Sequence, residues 1–313
     1  MSIRLKVFVA VATSLALAFG LLTLLVGREN SDTFAELERE DALRRMAQVG
    51  NTFHRELDTM ASVAIDYARW DDTYSFVAGA YAFYVDENIN PEMQSNLGMD
   101  IVIITDLEGK PLVSDIVEPG TSDVTDSKPT VDAIMTPSVL QSLAASSADA
   151  PFQAMLETPK GPAFAVAVPV TDNTGNVAPN GYFIMGRLLT PALVRELSDQ
   201  LEQPLEVLPL SGTSGRAVAS GENIGADTWL EPESDDQIAV TRSFNDFSGN
   251  PLLLARITAP RSLTAEGAAT LRSVQLVMAL TAVVALVLIL LTTESAVVRP
   301  ILALGRRVRD VGR

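Results

Sequence analysis

"DYARWDDTY", residues 66–74, places three acids, one arginine and three large aromatics in nine positions of a chain that is only 6% aromatic. Its reading decides where the leading helix ends and what lies beside it. Upstream, no proline interrupts residues 30–78. Met46, Gly50, Phe53, Leu57, Met60, Ala64 and Tyr67 recur at alternating intervals of four and three. That is a heptad seam, and the charged Arg55, Glu56 and Asp58 fall off it. The spacing predicts one helix over 30–78, with its seam either packed on its own domain or shared between two protomers. On a helical wheel of about 100° per residue, Tyr67, Trp70, Asp71 and Tyr74 lie on the seam side. Arg69 and Asp72 lie opposite, three residues apart, where they can pair. Asp71 is therefore expected to point inward among aromatics. A buried carboxylate needs a partner: an arginine such as Arg187 or Arg261, a cluster of backbone amides, or a ligand.

The chain has 313 residues, 47% of them hydrophobic, a net charge of −16 and no cysteine. Two uncharged apolar runs, residues 7–26 and 274–292, are each about as long as a bilayer core requires of a helix. The first run follows Arg4 and Lys6, as a signal peptide would. It is longer than a signal-peptide core and no small-residue cleavage site follows, which favours an uncleaved anchor. Arg4 and Lys6 precede the first run, and Arg299, Arg306, Arg307, Arg309 and Arg313 follow the second. The positive-inside rule then predicts a multi-pass membrane protein, with residues 1–6 and the C-terminus cytoplasmic and residues 28–273 outside. Residues 1–6 carry +2 and residues 293–313 carry +3, which leaves −21 between them. Such an acidic segment argues against nucleic acid as a partner and leaves the lipid bilayer to the two runs. The lack of cysteine excludes a disulfide framework and thiolate metal sites.

Further along, "DIVIITDLEGKPLVSD" (residues 100–115) reads as strand, turn, strand, and residues 130–145 as a helix. Residues 161–189 read as two strands around a loop rich in Gly, Asn and Pro. Thr190 and Pro191 open a helix. Residues 211–229 look like a mobile loop. Residues 238–260 form a last pair of strands, and a short stalk, Ser262–Ser273, leads to the second run. The order predicts an α+β fold: one antiparallel sheet with a long N-terminal helix, flanked by two transmembrane helices.

The string "DYARWDDTYSFV" resembles the signature of the CHASE type 4 domain, an extracytoplasmic sensor of prokaryotic signalling proteins. Asp66, Ala68, Trp70, Asp71, Asp72 and Tyr74 match that pattern, and Tyr67 stands where tryptophan is usual. The likeness continues through Asn88 and "LGMDIVIITDLEGKPLVS", through the segment ending in Gly186-Arg187, and through "DFSGNPLLLARITAPRSLTAEG", which contains Arg261. The resemblance implies a PAS- or Cache-like sensor fold and signal reception without naming a ligand. Candidate ligand contacts are Trp70, Asp71, Tyr74 and Arg187. Asp66, Tyr67, Asp72, Asn88, Gly186 and Arg261 complete the motif. After the second run, Pro300, Ile301, Leu304 and Val308 begin a new seam. It resembles the start of a HAMP linker over 297–313, a reading favoured over a stop-transfer tail whose basic residues lie on anionic lipid.

Two functions follow. In one, the chain is the input half of a receptor, homodimeric, with an unidentified small-molecule ligand. Its cytoplasmic output domain, a cyclic di-GMP cyclase or phosphodiesterase or a histidine kinase, would follow Arg313. In the other it is a membrane-tethered accessory subunit or extracytoplasmic enzyme. Against an enzyme, no second acid, nucleophile or nucleotide-binding motif accompanies the aspartates. His54, the single histidine, lies off the seam and reads as solvated. No metal site and no cofactor is expected.

Overall fold

The computed structural model describes residues 3–121, 123–210, 221–225, 227–234, 237–293, 295 and 299–300. Ile301, Leu304 and Val308 lie outside the described residues, as do 211–220. The chain forms two compact units, one of residues 1–41 with 261–313, the other of residues 42–260. The helices are α1 (Ile3–Ala68), α2 (Asp71–Val77), α3 (Tyr84–Asn88), α4 (Pro91–Leu97), α5 (Lys128–Ile134), α6 (Pro137–Ala145), α7 (Pro191–Leu201) and α8 (Ser262–Thr293). The strands are β1 (Ile101–Asp106), β2 (Pro111–Ile116), β3 (Phe152–Thr158), β4 (Gly161–Val170), β5 (Gly181–Leu188), β6 (Leu205–Pro209), β7 (Glu222–Gly225), β8 (Thr228–Pro232), β9 (Gln237–Asn245) and β10 (Pro251–Pro260).

The expected antiparallel sheet is present twice. One five-stranded sheet runs β2-β1-β5-β4-β3 and the other β6-β10-β9-β8-β7. Strands β3 and β6 to β8 went unread because they are short or end in turn-rich sequence; the predicted loop after residue 211 in fact enters β7 and β8. The heptad seam explains the doubling. Met46, Phe53, Leu57, Met60 and Ala64 are all buried in one core with side chains of both sheets. Phe53 alone meets Phe164 of β4 at 5.5 Å and Phe244 of β9 at 4.9 Å between ring centroids. One helix face spans two modules, and the seam is used up inside the chain rather than left for a second protomer.

The first sheet is covered on both faces. Val102, Ile104, Phe183 and Met185 turn toward α1, while Ile101, Ile103 and Ile184 pack with Val131 and Ile134 of α5 and Val139 and Leu143 of α6. Burial on both sides accounts for the nearly continuous apolar runs of β1, β4 and β5. The helix expected over 130–145 breaks at Met135–Thr136. Pro137 disfavours helical backbone in the residue before it, and the Thr136 side chain accepts from the Val139 amide to cap α6. In the β1–β2 turn Gly109 has φ +80, and a Cβ there would fall 2.3 Å from Leu140. Only glycine fits.

The helix expected over 30–78 ends at Ala68. The predicted stalk, Ser262–Ser273, is the first part of α8. Among the described residues one helical stretch is long and apolar enough to cross a membrane, Arg272–Ile289 in α8, with mean hydropathy 2.1. The N-terminal part of α1 contributes a shorter apolar stretch, Ala12–Leu21. In the same unit, Arg261 donates to both carboxylate oxygens of Glu38, at 3.0 and 3.3 Å.

Candidate functional site

The last carbonyls of an α-helix lack partners within it. At the end of α1 they find them in the motif. Thr73 donates its hydroxyl to the Tyr67 carbonyl at 2.7 Å, and the Thr171 amide donates to the Ala68 carbonyl at 3.1 Å. Trp70 leaves the helix with φ −83 and ψ 137 and caps α2, whose first turn holds Asp71 and Asp72. Acidic side chains there complement the positive helix start. "WDD" is thus a helix-start pattern, and it places Asp71 differently from the wheel.

Asp71 is exposed rather than buried among aromatics, and neither Arg187 nor Arg261 is its partner. Its two carboxylate oxygens accept from Asn173, one from the backbone amide at 3.0 Å and one from Nδ2 at 2.9 Å. Arg69 does not pair with Asp72; its guanidinium lies 3.8 Å from Asp149. At the far end of the same β4–β5 loop, Asn180 Nδ2 donates to the Tyr74 carbonyl at 2.9 Å. The motif therefore clips residues 171–180 at both ends.

Its aromatics complete the fastening. Tyr67 stacks on Trp70 at 4.4 Å and on Phe183 at 5.7 Å. Thr73 shares a 2.7 Å hydrogen bond with the buried hydroxyl of Tyr84, and Asn88 Nδ2 donates to the Tyr84 carbonyl. Burial, above all, raises the Tyr84 hydroxyl pKa to about 12. Burial and then the neighbouring Asp66 raise that of Tyr67. Asp66 and Asp72 are exposed. Trp70 and Tyr74 are half-buried against the core that α1 shares with the sheets.

Arg187 lies elsewhere, at the end of β5. Its neighbour Gly186 pairs with Ile101, whose Cβ would stand 3.1 Å from any Cβ placed at position 186. The Arg187 guanidinium donates to Glu56 of α1 at 2.7 Å and to Glu196 of α7 at 2.6 Å. Burial would lower its pKa, but the hydrogen bonds to the two carboxylates outweigh this and leave it raised. Arg187 is thus a hub joining one strand and two helices.

The same side chain lines a cleft of about 530 Å3 formed by α4, the segment leading into β1, the segment that follows β2, the end of β5 and α7. A second hollow of about 520 Å3, along α1, shares Arg187, Met99 and Glu196 with it. Both volumes lie within the range of small-molecule sites. In the first, Asp100 accepts from the Leu188 amide at 2.7 Å. Burial pushes the Asp100 carboxyl up, against the opposing pull of that amide and of Arg187. Thr190 caps α7 by accepting from the Leu193 amide. Gln94, fully buried, donates through Nε2 to the Asp115 carbonyl at 3.0 Å. Gln94, Asp100 and Arg195 were not singled out from sequence; each is an isolated polar residue that only the folded chain brings to one place. Among the described residues no group of three or more His, Cys, Asp or Glu could hold a metal ion.

The structure thus separates the sequence-derived residues into a fastener (Tyr67, Trp70, Asp71 and Tyr74) and a cleft (Arg187). Residues 52–208, half of the chain, match the CHASE4 domain, and the fastener, Asn88 and Arg187 all fall in that range. The methanogenesis regulatory histidine kinase FilI of Methanothrix harundinacea (strain 6Ac) is 23% identical over 274 residues, 87% of this chain. The chain spans 30% of that kinase's length. Among solved structures, the extracellular domain of vpHK1S-Z8 has a TM-score of 0.46 at 14% identity, over 75% of this chain and 96% of that one. The periplasmic domain of Vibrio cholerae LuxQ has a TM-score of 0.44 at 12% identity, over 70% of this chain and 99% of that one. The chain belongs to the CHASE4 domain family.

Proposed function

We propose that the chain is the input half of a membrane receptor. Residues 7–26 and 274–292 span the inner membrane, residues 28–273 form the periplasmic sensor, and both termini are cytoplasmic. The sensor binds a small molecule and passes the event through the second span to a HAMP linker over 297–313 and an output domain beyond. The related kinase makes a histidine kinase one candidate for that output; a cyclic di-GMP enzyme is the other. The segment acts by binding rather than by catalysis, and the receptor works as a homodimer.

One observation carries the reading. Arg187 lines the cleft and is paired with Glu56 on α1, the helix whose sequence continues back toward the first apolar run. A ligand that displaces or reorients Arg187 acts on that helix directly. The response is limited by the ligand's difference in affinity between the two arrangements, and shifts of about 1–2 Å between helices are the usual scale. The test is a disulfide cross-linking scan with single cysteines in residues 274–292, in membranes, with and without a ligand shown to raise the melting temperature. An altered cross-linking pattern supports the receptor; an unchanged one with ligand bound refutes it.

A further inference from the structure

One buried atom in the cleft lacks a partner. Gln94 lines the cleft and is fully buried, yet its Oε1 accepts no hydrogen bond from the described residues. The other end of the amide is fixed by its bond to the Asp115 carbonyl, so the acceptor cannot turn elsewhere without losing that bond. A buried acceptor left unmade is costly. The cleft also holds the Asp100 carboxylate, whose Oδ2 takes the Leu188 amide. The cations around it are largely spent. Arg187 is shared between two carboxylates, and Lys160 is paired with Glu118 at 2.6 Å. Arg195 remains, exposed, with its Nε held by the Pro191 carbonyl.

We infer that this cleft takes a primary ammonium group, whose N–H donors meet Gln94 Oε1 and the Asp100 carboxylate. The inference rests on the receptor reading for its purpose but not for its chemistry. A primary ammonium offers three donors, which matches a neutral acceptor beside a charged one. A quaternary ammonium carries the charge without the donors, and a carboxylate reverses both properties.

The test uses the full chain in detergent, titrated with propylammonium, tetramethylammonium or propionate by calorimetry and melting temperature. Propylammonium alone should bind and raise the melting temperature. Asp100→Asn, which keeps an acceptor for the Leu188 amide, should weaken that binding by about tenfold or more. Gln94→Met, which removes the acceptor along with the bond to the Asp115 carbonyl, should weaken it as well. Should either variant fail to melt cooperatively, the three-ligand comparison on the unaltered chain decides alone. Equal binding of tetramethylammonium, binding of propionate only, or no binding of propylammonium overturns the inference. Cross-links that respond to some other bound ligand would leave the receptor standing without this site. Propylammonium binding with unchanged cross-links would leave the site standing without the receptor.

Discussion

Replacing Arg187 by methionine removes the hub while keeping an unbranched apolar stem. Its two partners differ: the Glu56 side chain is 11% exposed and Glu196 48%. A carboxylate left nearly buried without its counter-ion bears most of the desolvation cost, whereas one in water loses little. Breaking a buried pair costs about 3–5 kcal/mol. The Arg187 side chain is itself 21% exposed, so water relieves part of the cost, and Arg187→Met should come in near the lower end, about 3 kcal/mol. Glu196→Gln should cost no more than about 1 kcal/mol, as exposed pairs do. Glu56→Gln keeps a neutral hydrogen bond and leaves Arg187 its second carboxylate, for about 1–2 kcal/mol. The Arg187→Met, Glu56→Gln double variant should then be more stable than the sum of the two by about 1–3 kcal/mol. Urea unfolding of the full chain in detergent, followed by the fluorescence of Trp70 and Trp229, measures all four. Equal losses for Glu56→Gln and Glu196→Gln, or strict additivity of Arg187→Met and Glu56→Gln, would refute the hub.

Asp71→Ala removes both bonds to Asn173 and should cost about 1–2 kcal/mol, with faster proteolytic cutting within residues 171–180. Asp72→Ala loses only its place in the first turn of α2, about 0.3–1 kcal/mol in urea unfolding. Thr73→Val, nearly the same shape, strands the Tyr67 carbonyl and the Tyr84 hydroxyl and should cost about 1–3 kcal/mol; Thr73→Ser should restore most of it, judged by urea midpoints. The Asp100 carboxyl is raised by burial, so the folded state holds its proton more tightly than the unfolded one. The stabilisation from protonating Asp100 is complete below the ordinary carboxylate pKa and lost as pH rises through the raised one. Asp100→Asn should therefore melt higher than the unaltered chain at pH 7, with the gap closing as pH falls toward 4.

The elements legible in sequence are those in which local pattern and burial agree. The strands 101–106, 161–170 and 181–188 announce themselves by apolar runs because both faces of their sheet are covered. Thr190-Pro191 announces α7 by its cap. The seam of α1 was legible as a helix face, but not what it faces. A repeat that contacts Val166 and Phe183 looks the same along the chain as one that also contacts Val240 and Leu253. The second sheet was seen only in β9 and β10, since β6 has five residues and β7 four, too few to show alternation.

The residues of the motif were legible and their placement was misread. The wheel for residues 66–74 assumed an uninterrupted helix because neither glycine nor proline marks its end. The break comes instead from hydrogen bonds: the Thr73 hydroxyl and the Thr171 amide satisfy the carbonyls of Tyr67 and Ala68 that the next turn would have taken. Once the helix stops, the pair of aspartates becomes a first turn, and Asp71 is turned outward to a loop a hundred residues away in sequence. A signal was there, two acids directly after a residue able to adopt extended backbone, but it competes with a seam that runs on through Tyr67 and Tyr74. Arg187 was found by its Gly-Arg context, whereas its partner Glu56 was legible only as a charge off the seam. A charge off the seam of a helix that lies against one surface is solvated; on a helix flanked also by α7 it meets a second wall, and Glu56 at 11% exposure records that wall.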